Sequence, residues 1–406
     1  MHPVSLPAGL RLGLLYAVIF AGIGVAMPFL PLWLASLSLG PDLIGALVAL
    51  PIAVKIGATA PLMALIDRGV TARALLVAGS LGLALTYGAM PAAATFGWPI
   101  LALVIALNAV AGAPLVPAVD YLSLAAVRRD PRLDYARIRL GGSLGFLAAS
   151  LAGGWLLGLI GERAGVTAFL AGLGLVSAAG SALLTTGAAG ERISGPEPRP
   201  AGAAGLPVAL WLAMAAGASI QASHAAVYAF GSIHWAGLGL SSPMIGAAWA
   251  IGVVAEIVFF ALVGRVPTLR DAPFRLLALG AVAALLRWAG LAGLAAVPAT
   301  VLPLQILHGL TFGATQLGAM GALSRLAPEG ARGRAQGAYA AAAALASACA
   351  TLASGAAVRA GGPLLAFALM VPAAGLGLAL TLAAARRAGA RTRPVRPRDG
   401  HPAERV

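Results

Sequence analysis

The chain has 406 residues, of which 60% are hydrophobic and only 10% charged, and its mean hydropathy is +0.93. So small a polar fraction cannot coat a water-soluble globule, and lipid has to be the solvent for most of the surface. The formal charge of +14 is scattered over short turns instead of gathered on one polar face, which argues against nucleic-acid binding.

Hydrocarbon offers backbone groups no hydrogen-bond partner, so long continuous apolar runs select transmembrane helices. The first run extends from Leu10 past Trp33 without a short core and a small-residue cleavage site, so 10–36 is read as a retained helix. Further runs follow at 42–66, 73–93, 98–126, 139–160 and 164–186. The stretch GAAGERISGPEPRPAGAAGL has the glycine, proline and charge content of a flexible polar linker. Apolar runs then resume at 207–232, 241–264, 275–296, 299–324, 337–358 and 363–385. The expected architecture is all-α and integral to the membrane, with twelve transmembrane helices in two six-helix bundles, 1–186 and 207–385. A linker over 187–206 joins them, and a basic tail over 386–406 follows.

Charged turns fall on alternate sides. Asp67, Arg68 and Arg73, the stretch from Arg128 to Arg139, the linker, Arg265 with Arg270 and Arg275, Arg325 with Arg332 and Arg334, and the tail share one side. The opposite turns carry little that is basic beyond Arg163 and Arg359. By the positive-inside rule both termini and the linker are expected in the cytoplasm of a bacterial inner-membrane protein. The arginine-rich tail reads as a solvated topology anchor, with attraction to acidic lipid headgroups as the second reading. The single cysteine, Cys349, precludes an internal disulfide or a CxxC site and reads as an inert packing residue.

Ionisable groups inside membrane helices are costly, so each calls for a partner or a function. Counting along the segments puts Glu256 about 22 Å and His308 about 14 Å from the sparsely charged side, and Arg287 about 18 Å from the basic side. Those depths converge near the midplane of a core about 30 Å thick, so Glu256, Arg287 and His308 are expected to meet. Lys55 has no carboxylate at its own depth in the first bundle, which leaves one positive charge over and points to an organic anion as substrate. Gln221, His224 and Tyr228 recur at helical spacing and form a candidate substrate face with Lys55 and Arg287. Asp120 falls near the basic rim, level with Arg137 and Arg139, and is expected to form a static or gating ion pair there. With Asp67, Arg68 and Arg73 these make up the candidate gating residues.

The stretches QASHAAVYAFGSIHWAGLGLSSPMIGAAWAIGVVAEIVFF, LRWAG and LPLQILHGLTFG resemble the bacterial 3-phenylpropionate permease family of the major facilitator superfamily. FLPLWLASLSL, ALIDRGVTAR, PLVPAVDYLSLA and DYARIRLGGSLGF agree in the first bundle. The resemblance runs from about residue 11 to residue 355 and implies the major facilitator fold and uptake, coupled to protons, of a small aromatic or related monocarboxylate. Glu256, Arg287 and His308 also look like the coupling apparatus of the lactose permeases. Thr311 stands where those carry a further carboxylate, so their proton route does not transfer. Lys55 replaces a common arginine, and Gly141 replaces the tryptophan usual before the Gly-Ser pair, a change expected to widen the cavity or alter its ligand. The superfamily loop after the second segment survives in part as Asp67, Arg68 and Arg73.

The leading reading is thus a monomeric secondary transporter working by alternating access, with protons, a small organic anion and membrane lipids as partners. A proton antiporter exporting drugs or metabolites and a symporter of a neutral nucleoside or sugar are the alternatives. No HExxH, paired-aspartate motif or nucleotide loop appears, so no enzyme activity, cofactor or metal is expected.

Overall fold

The computed structural model describes residues 6–185 and 205–391. Most of the linker and of the basic tail lies outside the described residues. Among these, nine helices are long and apolar enough to cross a membrane. We number the crossings α1 (Ala8–Ser36), α2 (Pro41–Asp67), α3 (Ala72–Thr95), α4 (Trp98–Arg129), α5 (Tyr135–Ile160) and α6 (Glu162–Leu184). In the second half come α7 (208–237), α8 (Ser242–Val263), α9 (Pro273–Gly293) and α10 (301–326). The final helix, Arg332–Arg391, breaks where Gly362 adopts φ 74°, separating α11 (332–360) from α12 (363–391). With the interrupted α7 and α10 this agrees with twelve crossings. The tail segment 386–391 continues α12 instead of leaving it.

Local chemistry fixes several boundaries. Thr71 caps α3 by accepting from the Ala74 amide at 3.1 Å, and Asp134 caps α5 by accepting from Ala136 at 2.9 Å. That second cap starts α5 four residues earlier than the apolar run alone suggests, bringing Arg137 and Arg139 inside the helix. Large apolar side chains such as Leu85, Trp155 and Leu183 remain exposed along the outer helix faces, where only acyl chains can solvate them.

Glycine sets the closest helix contacts, because without a hydrophobic driving force in lipid, backbones must approach for dispersion to hold them. A Cβ at Gly141 would sit 2.2 Å from the Gly13 carbonyl oxygen, so α5 crosses α1 there in backbone contact. This corrects the expectation drawn from the missing tryptophan: position 141 is a helix crossing, and the exchange tightens the first half instead of widening a cavity.

The two halves touch at the face opposite the arginine-rich turns. There α2 meets α11, with Gly45 against Gly355 and an Arg359–Asp42 ion pair of 2.6 Å. Beside them α5 meets α8, where a Cβ at Gly246 would lie 2.3 Å from the Ser150 carbonyl and Ser242 donates to Glu162 at 2.7 Å. The Ser242–Glu162 hydrogen bond and the Arg359–Asp42 ion pair thus both join the halves at this far face.

Candidate substrate and coupling site

Both interrupted helices lose regular geometry at the same place. A π-helical turn over Val227–Gly231 follows His224 in α7, and another over Gly309–Ala314 follows His308 in α10. Such turns insert a residue and rotate the side chains beyond them, which is why they accompany functional sites. Here they bring His224 and Tyr228 of α7 against His308 and Thr311 of α10, facing Arg287 of α9.

Arg287 is 1% exposed, and its guanidinium is ringed by neutral groups. It donates to His308 Nδ1 at 3.1 Å, to Thr311 Oγ1 at 3.1 Å and to Gln305 Oε1. A guanidinium only donates, so His308 Nδ1 accepts and the ring carries its hydrogen on Nε2. His224 Nδ1 lies 3.1 Å from the Ile220 carbonyl and therefore donates, leaving Nε2 to accept from the Thr311 hydroxyl at 2.9 Å. Every contact is thus satisfied with both histidines neutral. Arg287 Nε is buried without a partner, and no carboxylate lies within ion-pair distance of Arg287 among the described residues. Burying a cation costs several kcal/mol after relaxation, as an order of magnitude, and neutral acceptors offset only part of that.

Aromatic faces line the same region. The His224 and Tyr228 rings are 5.6 Å apart, Tyr228 lies 5.8 Å from Trp249, and His308 stacks on Phe312 at 5.5 Å. The Arg287 guanidinium also lies 4.8 Å from the Trp288 ring centroid, whose indole N–H is held by Ser223 at 2.9 Å. Gln221 turns elsewhere, toward Tyr339 on α11.

Glu256, half-buried on α8, makes no ion pair with Arg287, and the cation whose charge reaches it is Arg139 on α5. Lys55 is exposed, its Cε 4.0 Å from the place a Gly112 side chain would occupy on α4, with no carboxylate paired to it among the described residues. Asp67, Arg68 and Arg73 end α2 and begin α3 on the basic face, without an ion pair among the described residues.

The rim cluster differs from expectation. Asp120 pairs with neither arginine; it accepts from the phenols of Tyr16 on α1 and Tyr135 on α5, the latter at 3.0 Å. Arg137 points outward to Asp134 at 3.7 Å, and Arg139 lies over the Phe20 ring at 4.5 Å and the Tyr16 ring at 5.3 Å. The early start of α5 explains this, because it places Tyr135 where an arginine was expected to reach Asp120. Asp120→Asn keeps an acceptor but loses the charge that strengthens both bonds. It is expected to lower thermal stability by about 1 to 3 kcal/mol while leaving equilibrium ligand binding intact. Thermal unfolding and ligand binding of the purified variant check this, and lost binding in a folded variant would place Asp120 in the site.

Sequence reasoning did not place Gln305, Thr311, Trp288, Tyr16, Tyr135 or Phe20 in either cluster. The spacing of Gln305, His308 and Thr311 at successive threes is a signal that one helix face holds all three polar groups.

A helical membrane fold of two halves with a buried polar cluster is in keeping with a major facilitator transporter. The MFS_1 like family matches residues 10–369, and the chain belongs to that family. It is 30% identical over 314 residues to a probable 3-phenylpropionic acid transporter of Escherichia coli strain K12, covering 76% of this chain and 80% of that one. Among solved structures it resembles the nucleoside transporter NupG with a TM-score of 0.71 at 18% identity, covering 94% of this chain and 99% of that one. A bacterial homologue of the human lysosomal transporter Spinster, inward-facing and unoccupied, gives a TM-score of 0.67 at 14% identity over 94% of this chain and 96% of that chain. The protein is therefore a multi-pass membrane transporter of small molecules and not an enzyme.

Proposed function

We propose that the protein takes up a small aromatic monocarboxylate such as 3-phenylpropionate together with protons, by alternating access, as a monomer in the bacterial inner membrane. The observation that carries this is Arg287: a buried guanidinium surrounded by neutral acceptors and aromatic rings, which a carboxylate with an attached ring would complete. The similarity to a probable 3-phenylpropionic acid transporter is in keeping with it. The arginine-rich face is assigned to the cytoplasm by the positive-inside rule, with both termini there. In this reading the α2–α11 and α5–α8 contacts close the outer side in the conformation described.

In this reading the units 1–186 and 207–385, joined by 187–206, rock about a midplane site. Arg287 takes the substrate carboxylate and His224 and Tyr228 present ring faces to its aromatic group, while Gln221, turned toward Tyr339, takes no part in that contact. His308 keeps Arg287 oriented, and Glu256 carries the coupled proton. Asp67, Arg68, Arg73, Asp120, Arg137 and Arg139 belong to the cytoplasmic gate, and Lys55 adds positive potential from the first half.

Uptake into proteoliposomes under an imposed proton gradient tests the assignment, with aromatic acids, nucleosides, sugars and drugs as cargo. Accumulation of nucleosides or drugs without aromatic acids would overturn it. In the same assay Lys55→Gln is expected to weaken 3-phenylpropionate more than its neutral amide, by a few-fold to tenfold, roughly 1 kcal/mol for a charge acting through a partly solvated cavity. Equal losses for acid and amide would reject a role for the Lys55 charge in selection.

A further inference from the structure

Two opposite charges remain without an ion-pair partner on α5 and α8, helices of different halves that pack against each other. These antiparallel helices cross where Ser150 touches Gly246. From that crossing Arg139 lies eleven residues, about 16 Å, toward the basic face on α5, and Glu256 lies ten residues, about 15 Å, in the same direction on α8. Eleven residues restore the azimuth of a 3.6-residue helix to within about 20°, so Arg139 lies on the Ser150 face of α5, where the hydroxyl donates to the Gly24 carbonyl of α1 and the backbone carbonyl touches Gly246 of α8. Glu256 follows the stripe of Ser242, Ile245 and Trp249 by the same count, and Ser242 is the residue that reaches the first half at Glu162. The two residues therefore lie at similar distances from the crossing, one on each half, and form no ion pair in this conformation.

Each is also held ready. Arg139 has no carboxylate within ion-pair distance among the described residues, because Asp120 is occupied by two tyrosines, and its guanidinium rests on Phe20 and Tyr16. Glu256 has no hydrogen-bond or ion-pair partner among the described residues. The other titratable groups near Glu256 are Tyr228 on α7, Arg287 beyond it on α9, and His308 on α10, which packs against Gly252 one turn away.

We propose that Arg139 and Glu256 form the ion pair that shuts the cytoplasmic side, and that a proton on Glu256 breaks it. The inference rests on the proton-coupled reading above but assigns the exchange partner of Glu256 to the opposite half instead of to Arg287. Ionised Glu256 pairs with Arg139 and holds the carrier open to the outside. A proton taken up there neutralises Glu256, the pair parts, and the loaded carrier opens inward. Release of that proton inside restores the charge and lets the empty carrier close again, so one proton enters per cycle.

The test reads conformation and needs no substrate. Ile245, fully buried at the far-face contact, is replaced by Cys in a chain whose exposed Cys349 is replaced by Ser. Labelling by an impermeant maleimide from the outside then reports opening of that face. Arg139→Glu sets like charges together and is expected to lower labelling about tenfold or more, as loss of a close cross-interface pair implies. Glu256→Gln lowers it as well, Arg139→Lys retains it, and the swap Arg139→Glu with Glu256→Arg restores it. Parent-like labelling in Arg139→Glu overturns the proposal. So does a swap that labels no better than either single change while Arg139→Lys is folded and labels normally. A wrong substrate assignment alters uptake but leaves these labelling results unchanged.

Discussion

Replacing Arg287 by Gln is expected to abolish high-affinity binding of the acid substrate while leaving the protein folded. The guanidinium is the cation at the centre of the polar cluster, and its removal leaves only neutral donors facing a desolvated carboxylate. Losing one partner of such a pair costs about 2 to 5 kcal/mol, a fall in affinity of about thirtyfold or more. The fold is expected to tolerate the change, because a buried cation without a counter-ion is itself a burden on stability. The measurement is ligand-induced thermal stabilisation: 3-phenylpropionate raises the unfolding temperature of the parent through its preference for the native state, and that shift vanishes in Arg287→Gln. A variant that is still stabilised by the acid as strongly as the parent removes Arg287 from the binding site. The neutral amide serves as control and should lose far less.

The second large effect is expected at Glu256, where Gln imitates the permanently protonated side chain in size and hydrogen bonding. Accumulation driven by a proton gradient should disappear, while substrate binding and counterflow exchange persist, since neither requires the proton to leave. The dependence of uptake on external pH should flatten in parallel. Among the described residues Glu256 is a carboxylate within a membrane-spanning helix that neither tyrosine phenols nor an arginine holds, and an unpaired carboxylate there has a function or a missing partner. Normal accumulation by Glu256→Gln, with the pH profile of the parent, would route the proton through another group. Uptake and exchange measured on the same purified variants separate lost coupling from lost folding.

The sequence alone determined that the chain lives in lipid, where its helices begin and end to within a few residues, and which side bears the arginines. Hydropathy, helix-breaking residues and charge placement are local, and the membrane enforces helices wherever the backbone would otherwise lie unpaired. It also placed Glu256, Arg287 and His308 at similar depths, because rise per residue is constant. Only the tertiary structure decided who touches whom. Depth leaves the rotation of each helix undetermined, and the π-helical turns after His224 and His308 add a residue that shifts facing residues away from 3.6-residue counting. Thr311, where lactose permeases have a carboxylate, thereby bridges Arg287 and His224. Asp120 meets tyrosines in place of arginines because the Asp134 cap starts α5 early. Gly141 is a helix crossing because the small residues opposite it on α1 let the two backbones touch. Partner choice depends on long-range packing of several helices at once, and no single stretch of the chain contains that information.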